Sequence, residues 1–183
     1  AAVRTALDGG AVDGAESDAE SVQSGNETAG ALSLPSVDAS GAAMLGAALG
    51  AVALVRSLGF GSVFRGEHVV LSANDPYYYR YWVEQAIAAG RPFAEIVRGV
   101  THGEPLLEVT LVAFSRLFGS VDAVGAVLAV YPVAAAVITG GLLYWVTLRI
   151  TRDRRVALAS VVMLAITPGH ALRTALGFAD HHA

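Results

Sequence analysis

Two short stretches of this chain carry the side chains best suited to metal-assisted chemistry. The first is Asn74-Asp75-Pro76-Tyr77, and the second is Ala179-Asp180-His181-His182. Carboxylate and imidazole ligands without thiolate suit Mn²⁺, Mg²⁺ or Zn²⁺, and mixed oxygen and nitrogen ligation favours Mn²⁺. Asp180 and His182 point the same way only from an extended segment or a turn, because residues i and i+2 lie about 200° apart around a helix. The residue types predict a cation held by Asp75, Asp180 and His182, provided that folding brings the stretches together.

Each stretch also has a purely structural interpretation. Asp75 precedes Pro76, so it is placed to act as the N-cap of a helix whose first residue is that proline. The histidine pair is equally typical of a solvated loop or of a tag remnant. Taken alone, each stretch favours its structural role, and only their location on one side of a membrane makes a shared site the better interpretation.

Composition shows what has to position these residues. The chain has 183 residues, of which 54% are hydrophobic and 15% are charged, and its mean hydropathy is +0.54. The apolar residues form long uncharged runs, which is typical of helices surrounded by lipid. The absence of cysteine excludes disulfides and thiolate metal sites. All 12 basic residues are arginine, a bias typical of haloarchaeal proteins.

Three of the apolar runs are predicted to cross a membrane, namely residues 41–60, 123–148 and 156–172. About 20 residues suffice for a hydrocarbon core of about 30 Å. The first run contains Arg56, which we expect to extend its side chain to the interface. The predicted fold class is therefore an all-α integral membrane protein, a polytopic helical bundle with three transmembrane spans.

The loop of residues 149–155 contains four arginines and is predicted to be cytoplasmic by the positive-inside rule. Residues 61–122 then form an external loop, and the second acidic stretch follows the third span on the same external face. Residues 1–40, which are acidic and rich in Gly, Ser and Ala, are predicted to be a disordered cytoplasmic region. This orientation brings Asp75 and Asp180 to one side of the membrane.

The external loop is predicted to contain helices that lie along the membrane surface. Residues 77–89 read as a helix rich in aromatic residues, with Arg80 and Glu84 as a surface ion pair. Residues 105–118 read as a second interfacial helix or a re-entrant segment, in which Glu108 is expected to be solvated.

These residues resemble a known family. Asn74-Asp75-Pro76-Tyr77-Tyr78 looks like the first acidic motif of the AglB-type archaeal oligosaccharyltransferases, also called dolichyl-phosphooligosaccharide-protein glycotransferases. Residues 168–182, with Pro-Gly, Arg-Thr, Gly and then Asp-His-His, are similar to the second motif of that family. The resemblance covers residues 42–183 and implies a bundle of the GT-C type with about thirteen spans. Tyr79 departs from the archaeal pattern, which often has His there.

The resemblance implies an enzyme that transfers a glycan from a dolichyl phosphate or diphosphate carrier to Asn in an N-x-Ser/Thr sequence. Its site would lie on the external face of the cell membrane, with Mn²⁺ or Mg²⁺ held by Asp75, Asp180 and His182. Asp75 would also be the catalytic carboxylate, and Arg173 and Tyr77 would contact substrate. Membrane lipids, the lipid-linked glycan and the acceptor polypeptide are the implied partners, with no role for nucleic acid.

Two other functional classes remain open from the residues. Another membrane glycosyltransferase that uses polyprenyl-phosphate sugars would explain external acids, but such enzymes typically carry Asp-Glu in their first loop. A transporter fragment would explain the prolines in the spans, but the second and third runs lack the ionisable residues that transport sites need. A non-catalytic membrane anchor predicts that Asp75 and Asp180 can be replaced without effect.

By the same resemblance, activity also needs a Glu from a later external loop and a W-W-D motif, and these 183 residues contain neither. We therefore predict that this chain alone transfers no glycan. The measurement is incubation of the purified chain with lipid-linked glycan and a sequon peptide, and turnover would contradict the prediction.

Overall fold

The structure is a computed structural model, and it describes residues 39–99 and 104–179. The site residues Asp180 and His182, and the predicted disordered region up to residue 38, lie outside the described residues. In chain order the elements are α1 (Ala39–Arg56), α2 (Phe60–Val63), β1 (Phe64–Arg65), β2 (His68–Val69), α3 (Asn74–Ala88), α4 (Phe93–Gly99), α5 (Pro105–Leu117), α6 (Ala123–Thr151), α7 (Arg154–Ile166) and α8 (Pro168–Arg173).

Helices α1, α6 and α7 pack against one another in a bundle. The bundle interior is built from small and branched apolar side chains that water does not reach, including Val52, Ala136 and Val161. Large apolar side chains such as Leu54, Ile138 and Met163 point outward and are exposed. The bundle is thus apolar both inside and on its outer surface. Such an outer surface fits contact with lipid or with further helices rather than with water.

Two helical segments are long and apolar enough to cross a membrane, residues Ala39–Val63 and Ala123–Thr151. They agree with the first two predicted runs. The third run, residues 156–172, is not one continuous helix, since α7 has 13 residues and a break at Thr167 separates it from α8. At about 1.5 Å per residue, α7 alone rises about 20 Å, less than a hydrocarbon core.

Residues 60–99 and 104–122 form a second layer, which we call the cap layer, over the first half of α6. It begins with a two-stranded antiparallel hairpin in which Phe64 pairs with Val69, an element that the sequence did not predict. Helix α3 packs on α5 and α6. Its buried side chains, such as Val83, share one apolar core with Leu111 of α5 and Leu128 of α6.

The helix predicted at residues 77–89 is confirmed as α3, and the predicted ion pair forms, with Arg80 Nε at 2.7 Å from Glu84 Oε1. The predicted N-cap is wrong. Helix α3 begins at Asn74 with Ala73 as its N-cap, and no side chain among the described residues caps it. Asp75 instead lies in the first turn, because the extended backbone ends at Ala73, two residues earlier than the proline indicated.

Gly140 permits a close approach of the three bundle helices. A Cβ at this position would lie 2.9 Å from Leu49 Cδ2 of α1 and 3.7 Å from Val161 Cγ1 of α7. We predict that Gly140→Leu separates the three helices and lowers the free energy of unfolding by about 1–3 kcal/mol, as overpacking does in other cores.

The matched control is Gly141→Leu, since a Cβ there meets no heavy atom within 4 Å. Both variants gain the same helix propensity from loss of a glycine, so their difference isolates packing. Thermal unfolding in detergent should show a lower Tm only for the Gly140 variant. Equal Tm values would contradict the close packing.

Candidate active site

The two sequence stretches that carry the candidate ligands are joined by hydrogen bonds between their neighbouring residues. Ser72 N–H donates to Gly177 O at 2.9 Å, and Ser72 Oγ donates to Leu176 O at 3.1 Å. Ser72 precedes Asp75 by three residues, and Gly177 precedes Asp180 by three. We call this pair of hydrogen bonds the clasp. It fixes the chain just before each acidic motif.

Gly177 is required at its position in the clasp for two reasons. Its φ is +81°, in the left-handed region that favours glycine. A Cβ on this residue would also lie 2.9 Å from Ser72 Oγ and 3.0 Å from Val63 Cγ2. Any side chain here would push the second stretch away from the first.

Helix α6 is hydrogen-bonded to the clasp. The N–H of Gly177 donates to Ala129 O at 2.9 Å. Ala129 lies in the turn before Pro132, whose missing N–H leaves the neighbouring carbonyl of Leu128 without its helical donor. The carbonyl of Ala129 serves as an acceptor for another segment of the chain.

Arg56 anchors the segment that leads to the clasp. Its side chain is only 1% exposed, so the predicted extension to the interface is wrong. Its guanidinium donates four hydrogen bonds to uncharged acceptors, namely Leu164 O at 2.8 Å, Ala165 O at 2.9 Å, His170 Nδ1 at 2.8 Å and Thr174 Oγ1 at 3.1 Å. In addition, Arg56 O accepts from Leu176 N–H at 2.9 Å.

The end of α7 explains why the arginine is held inside. Pro168 has no N–H to donate to Leu164 O, the carbonyl four residues earlier, so the last turn of α7 is left with acceptors. Arg56 supplies the missing donors. Buried carbonyls and a buried cation each need partners, and here each satisfies the other.

Asp75 is exposed on the first turn of α3. Because it does not cap the helix, its carboxylate is not committed to backbone donors there. The positive end of the helix dipole stabilises an anionic side chain at this position. Asp75 therefore lies on the protein surface at the N-terminal end of α3, three residues after Ser72 of the clasp.

The other two candidate ligands, Asp180 and His182, lie outside the described residues. Within residues 39–99 and 104–179, no three acidic, histidine or cysteine residues form a group able to hold a metal ion. The described residues place the backbone before each motif side by side. The ligand set itself stays a prediction.

Comparison with known proteins identifies the family of this chain. Residues 43–183 match the family model described as oligosaccharyl transferase STT3, N-terminal. The chain belongs to this STT3 family. It is also 30% identical over 134 residues to dolichyl-phosphooligosaccharide-protein glycotransferase 2 of Archaeoglobus fulgidus, an alignment that covers 70% of this chain and 22% of that protein. No solved structure gives a significant match.

The STT3 chain thus spans about a fifth of the length of the relative that it matches. Membership of the family agrees with the resemblance of the two acidic motifs and with a glycosyltransferase function. It also favours the oligosaccharyltransferase interpretation over a transporter fragment.

The two residues predicted to contact substrate have structural partners in the STT3 chain. Tyr77 OH accepts a hydrogen bond from Leu71 N–H at 3.1 Å and so braces the residue before the clasp. The guanidinium of Arg173 lies 5.6 Å from the ring centroid of Phe178. Both side chains are exposed, and their roles toward substrate stay predictions.

The prediction that Glu108 is solvated is wrong. Glu108 lies in the first turn of α5, which packs on α3 and α6, and it is only 7% exposed. Burial raises the pKa of its carboxyl, because the charged form loses hydration. Sequence reasoning missed the burial of Glu108. A single acidic residue between apolar residues gives the same local pattern whether its helix face is buried or exposed to solvent.

Replacement of Gly177 tests the clasp. We predict that Gly177→Ala costs more stability than Gly90→Ala, although both glycines have positive φ, +81° and +63°. Alanine in the left-handed region costs about 1–3 kcal/mol in either place, and only at position 177 does the new Cβ meet other side chains. Thermal unfolding in detergent is the measurement, and equal losses of stability would show that the close contact is unimportant.

Proposed function

We propose that the intact protein is an oligosaccharyltransferase that moves a glycan from a dolichyl phosphate or diphosphate carrier to Asn of an N-x-Ser/Thr sequence, on the external face of the cell membrane. Membership of the STT3 family supports the general class of activity. The relative from Archaeoglobus fulgidus is named for a dolichyl-linked oligosaccharide and a protein acceptor.

The clasp is the observation that carries the proposal for the site. Ser72 and Gly177 are hydrogen-bonded although they are far apart in the chain, and each lies three residues before an acidic motif. We expect a carboxylate from each motif to reach a common point above α6. A chance contact between these two segments would not require a glycine and a backbone hydrogen bond at the point where they meet.

The donor set fits a divalent cation. Asp75 is exposed and free of a capping role, and Asp180 and His182 would complete a set of oxygen and nitrogen ligands that suits Mn²⁺, or Mg²⁺ if waters fill the remaining positions. When bound, such a cation would supply electrostatic stabilisation of the negative charge that develops on the leaving phosphate.

The residues of the chain would perform the rest of the transfer. The acceptor carboxamide is a poor nucleophile, because its nitrogen lone pair is delocalised, and Asp75 would accept a hydrogen bond from its N–H and orient the nitrogen toward the sugar. The bond between the anomeric carbon and the phosphate oxygen breaks, and a bond from the amide nitrogen to that carbon forms. The carrier phosphate leaves with the bonding electrons, and one amide proton is released. Arg173 would contact the anionic carrier.

The proposal includes a multi-pass topology. Helices α1 and α6 supply two crossings, and α7 together with α8 would supply the third, with the turn at Arg152 and Asp153 in the cytoplasm. This parity puts the cap layer and the clasp on the external side, where a lipid-linked glycan and an unfolded acceptor would meet.

Replacement of Asp75 in the full-length protein tests the function. We predict that Asp75→Asn lowers glycan transfer by at least about 100-fold, since it removes both a charged ligand and the acceptor contact. Glu95→Gln is the control, because Glu95 is an exposed acid of the cap layer on α4. The assay uses lipid-linked glycan and a sequon peptide. Wild-type rates for Asp75→Asn would exclude the proposed site.

Metal removal provides the second test of the function. Chelation should abolish transfer, and Mn²⁺ or Mg²⁺ should restore it in wild-type protein and in Glu95→Gln. Transfer that persists after exhaustive chelation would contradict metal dependence while leaving the role of Asp75 open to the first test.

A further inference from the structure

Arg56 has a connection to the second acidic motif that neither the family comparison nor the sequence assigns. It is the last residue of α1, and its partner Thr174 lies 118 residues away in the chain. The same residue holds the second motif twice, through its side chain to Thr174 and through its backbone oxygen to Leu176 N–H. Gly177 of the clasp follows directly.

We propose that Arg56 is a positioning residue, which fixes the segment 174–177 beside Ser72 and so sets where the second acidic motif begins relative to Asp75. This inference rests on the proposed function, because it assigns Arg56 a role at that same site. Arg56 itself touches neither substrate nor metal.

The hydrogen-bond chemistry of the cluster makes the position of Thr174 specific. A guanidinium has five N–H donors in a planar fork and no acceptor. His170 Nδ1 must therefore accept from Arg56, which sets the neutral tautomer with the proton on Nε2. Thr174 Oγ1 accepts from Arg56 Nε and lies 2.7 Å from His170 O, to which it donates its own proton. Each of these hydrogen bonds therefore has one direction.

Burial makes the cluster stiff. The side chains of Arg56 and Thr174 are 1% and 0% exposed, so water cannot replace a lost partner without opening the core. A buried hydrogen-bond network in which all members are satisfied defines one arrangement of its chain segments. The segment that begins at Thr174 therefore leaves the bundle in one direction, toward Ser72.

A metal site is the kind of structure that needs such stiffness. Carboxylate oxygens bind Mg²⁺ at about 2.0–2.1 Å, so two motifs from distant parts of the chain must be held to a fraction of an ångström. Residues that orient the ligands without touching the metal typically contribute about 10–100-fold to metal affinity or activity. The expected consequence of losing Arg56 is weaker metal binding by the folded protein.

The test uses the full-length protein with Mn²⁺ as the probe, and it measures Mn²⁺ affinity by electron paramagnetic resonance, kcat and KM for transfer, and thermal unfolding. We expect Arg56→Gln and Thr174→Val to weaken Mn²⁺ binding by about tenfold or more, with transfer recovered at high Mn²⁺. Thr174→Ser keeps the hydroxyl and should restore wild-type affinity. Arg56→Lys should restore little, since an ammonium lacks the fork that reaches four acceptors.

Arg98→Gln is the matched control, because Arg98 is an exposed arginine that donates to Ala94 O within its own helix. It should leave Mn²⁺ affinity and transfer unchanged. If Arg56→Gln does not fold, Thr174→Val decides the question, since valine has nearly the shape of threonine and retains the arginine.

The outcomes separate the inference from the proposed function. Wild-type Mn²⁺ affinity in the folded Arg56→Gln and Thr174→Val variants, with loss of thermal stability alone, would overturn the positioning role. Failure of the wild-type protein to bind Mn²⁺, or wild-type transfer by Asp75→Asn, would overturn the proposed function instead. Weaker Mn²⁺ binding that Thr174→Ser restores supports the positioning role.

Discussion

The structure depends on one buried cation. Arg56 brings a positive charge to a place that water barely reaches, and a charge there is tolerated only where hydrogen-bond partners replace its hydration. The acceptors come from the end of α7, from α8 and from the segment after it. Because one side chain satisfies all three, the end of α1 and the chain beyond α7 cannot be moved independently. Loss of either partner would leave buried groups unsatisfied, which costs more than the hydrogen bonds themselves contribute.

Two prolines lie close to the acceptors around the second motif. Pro168 leaves the Leu164 carbonyl without its helical donor, and Arg56 takes that place. Pro132 lies beside the turn whose Ala129 carbonyl accepts the N–H of Gly177. In lipid-embedded helices every backbone group needs a partner, so a proline both breaks a helix and offers an acceptor to another segment. In this chain the donors are Arg56 at the end of α7 and, on α6, the Gly177 N–H of the segment that leads to the candidate site.

The bundle and the cap layer have different roles in this arrangement. The bundle holds α1, α6 and α7 together through small residues such as Gly140. The cap layer places Asp75 on the first turn of α3, and the core shared by Val83 and Leu128 fixes that helix on α6. The clasp lies where the two layers meet. A site at this boundary has one wall built from the bundle and the other from the cap layer.

The amino-acid sequence by itself determined the first two apolar helices, the presence of helix α3, the Arg80–Glu84 pair and the two acidic motifs, because each depends on residues close together in the chain. Only the tertiary structure decided that Arg56 is buried, that Asp75 is released from capping and that Glu108 faces the core. It also decided that Ser72 meets Gly177. The physical reason is that hydrogen-bond partners such as Arg56 and Thr174 are 118 residues apart. No local periodicity encodes such a pairing, and whether a lone charge in an apolar run reaches the interface or turns inward depends on the acceptors that distant helices bring to it.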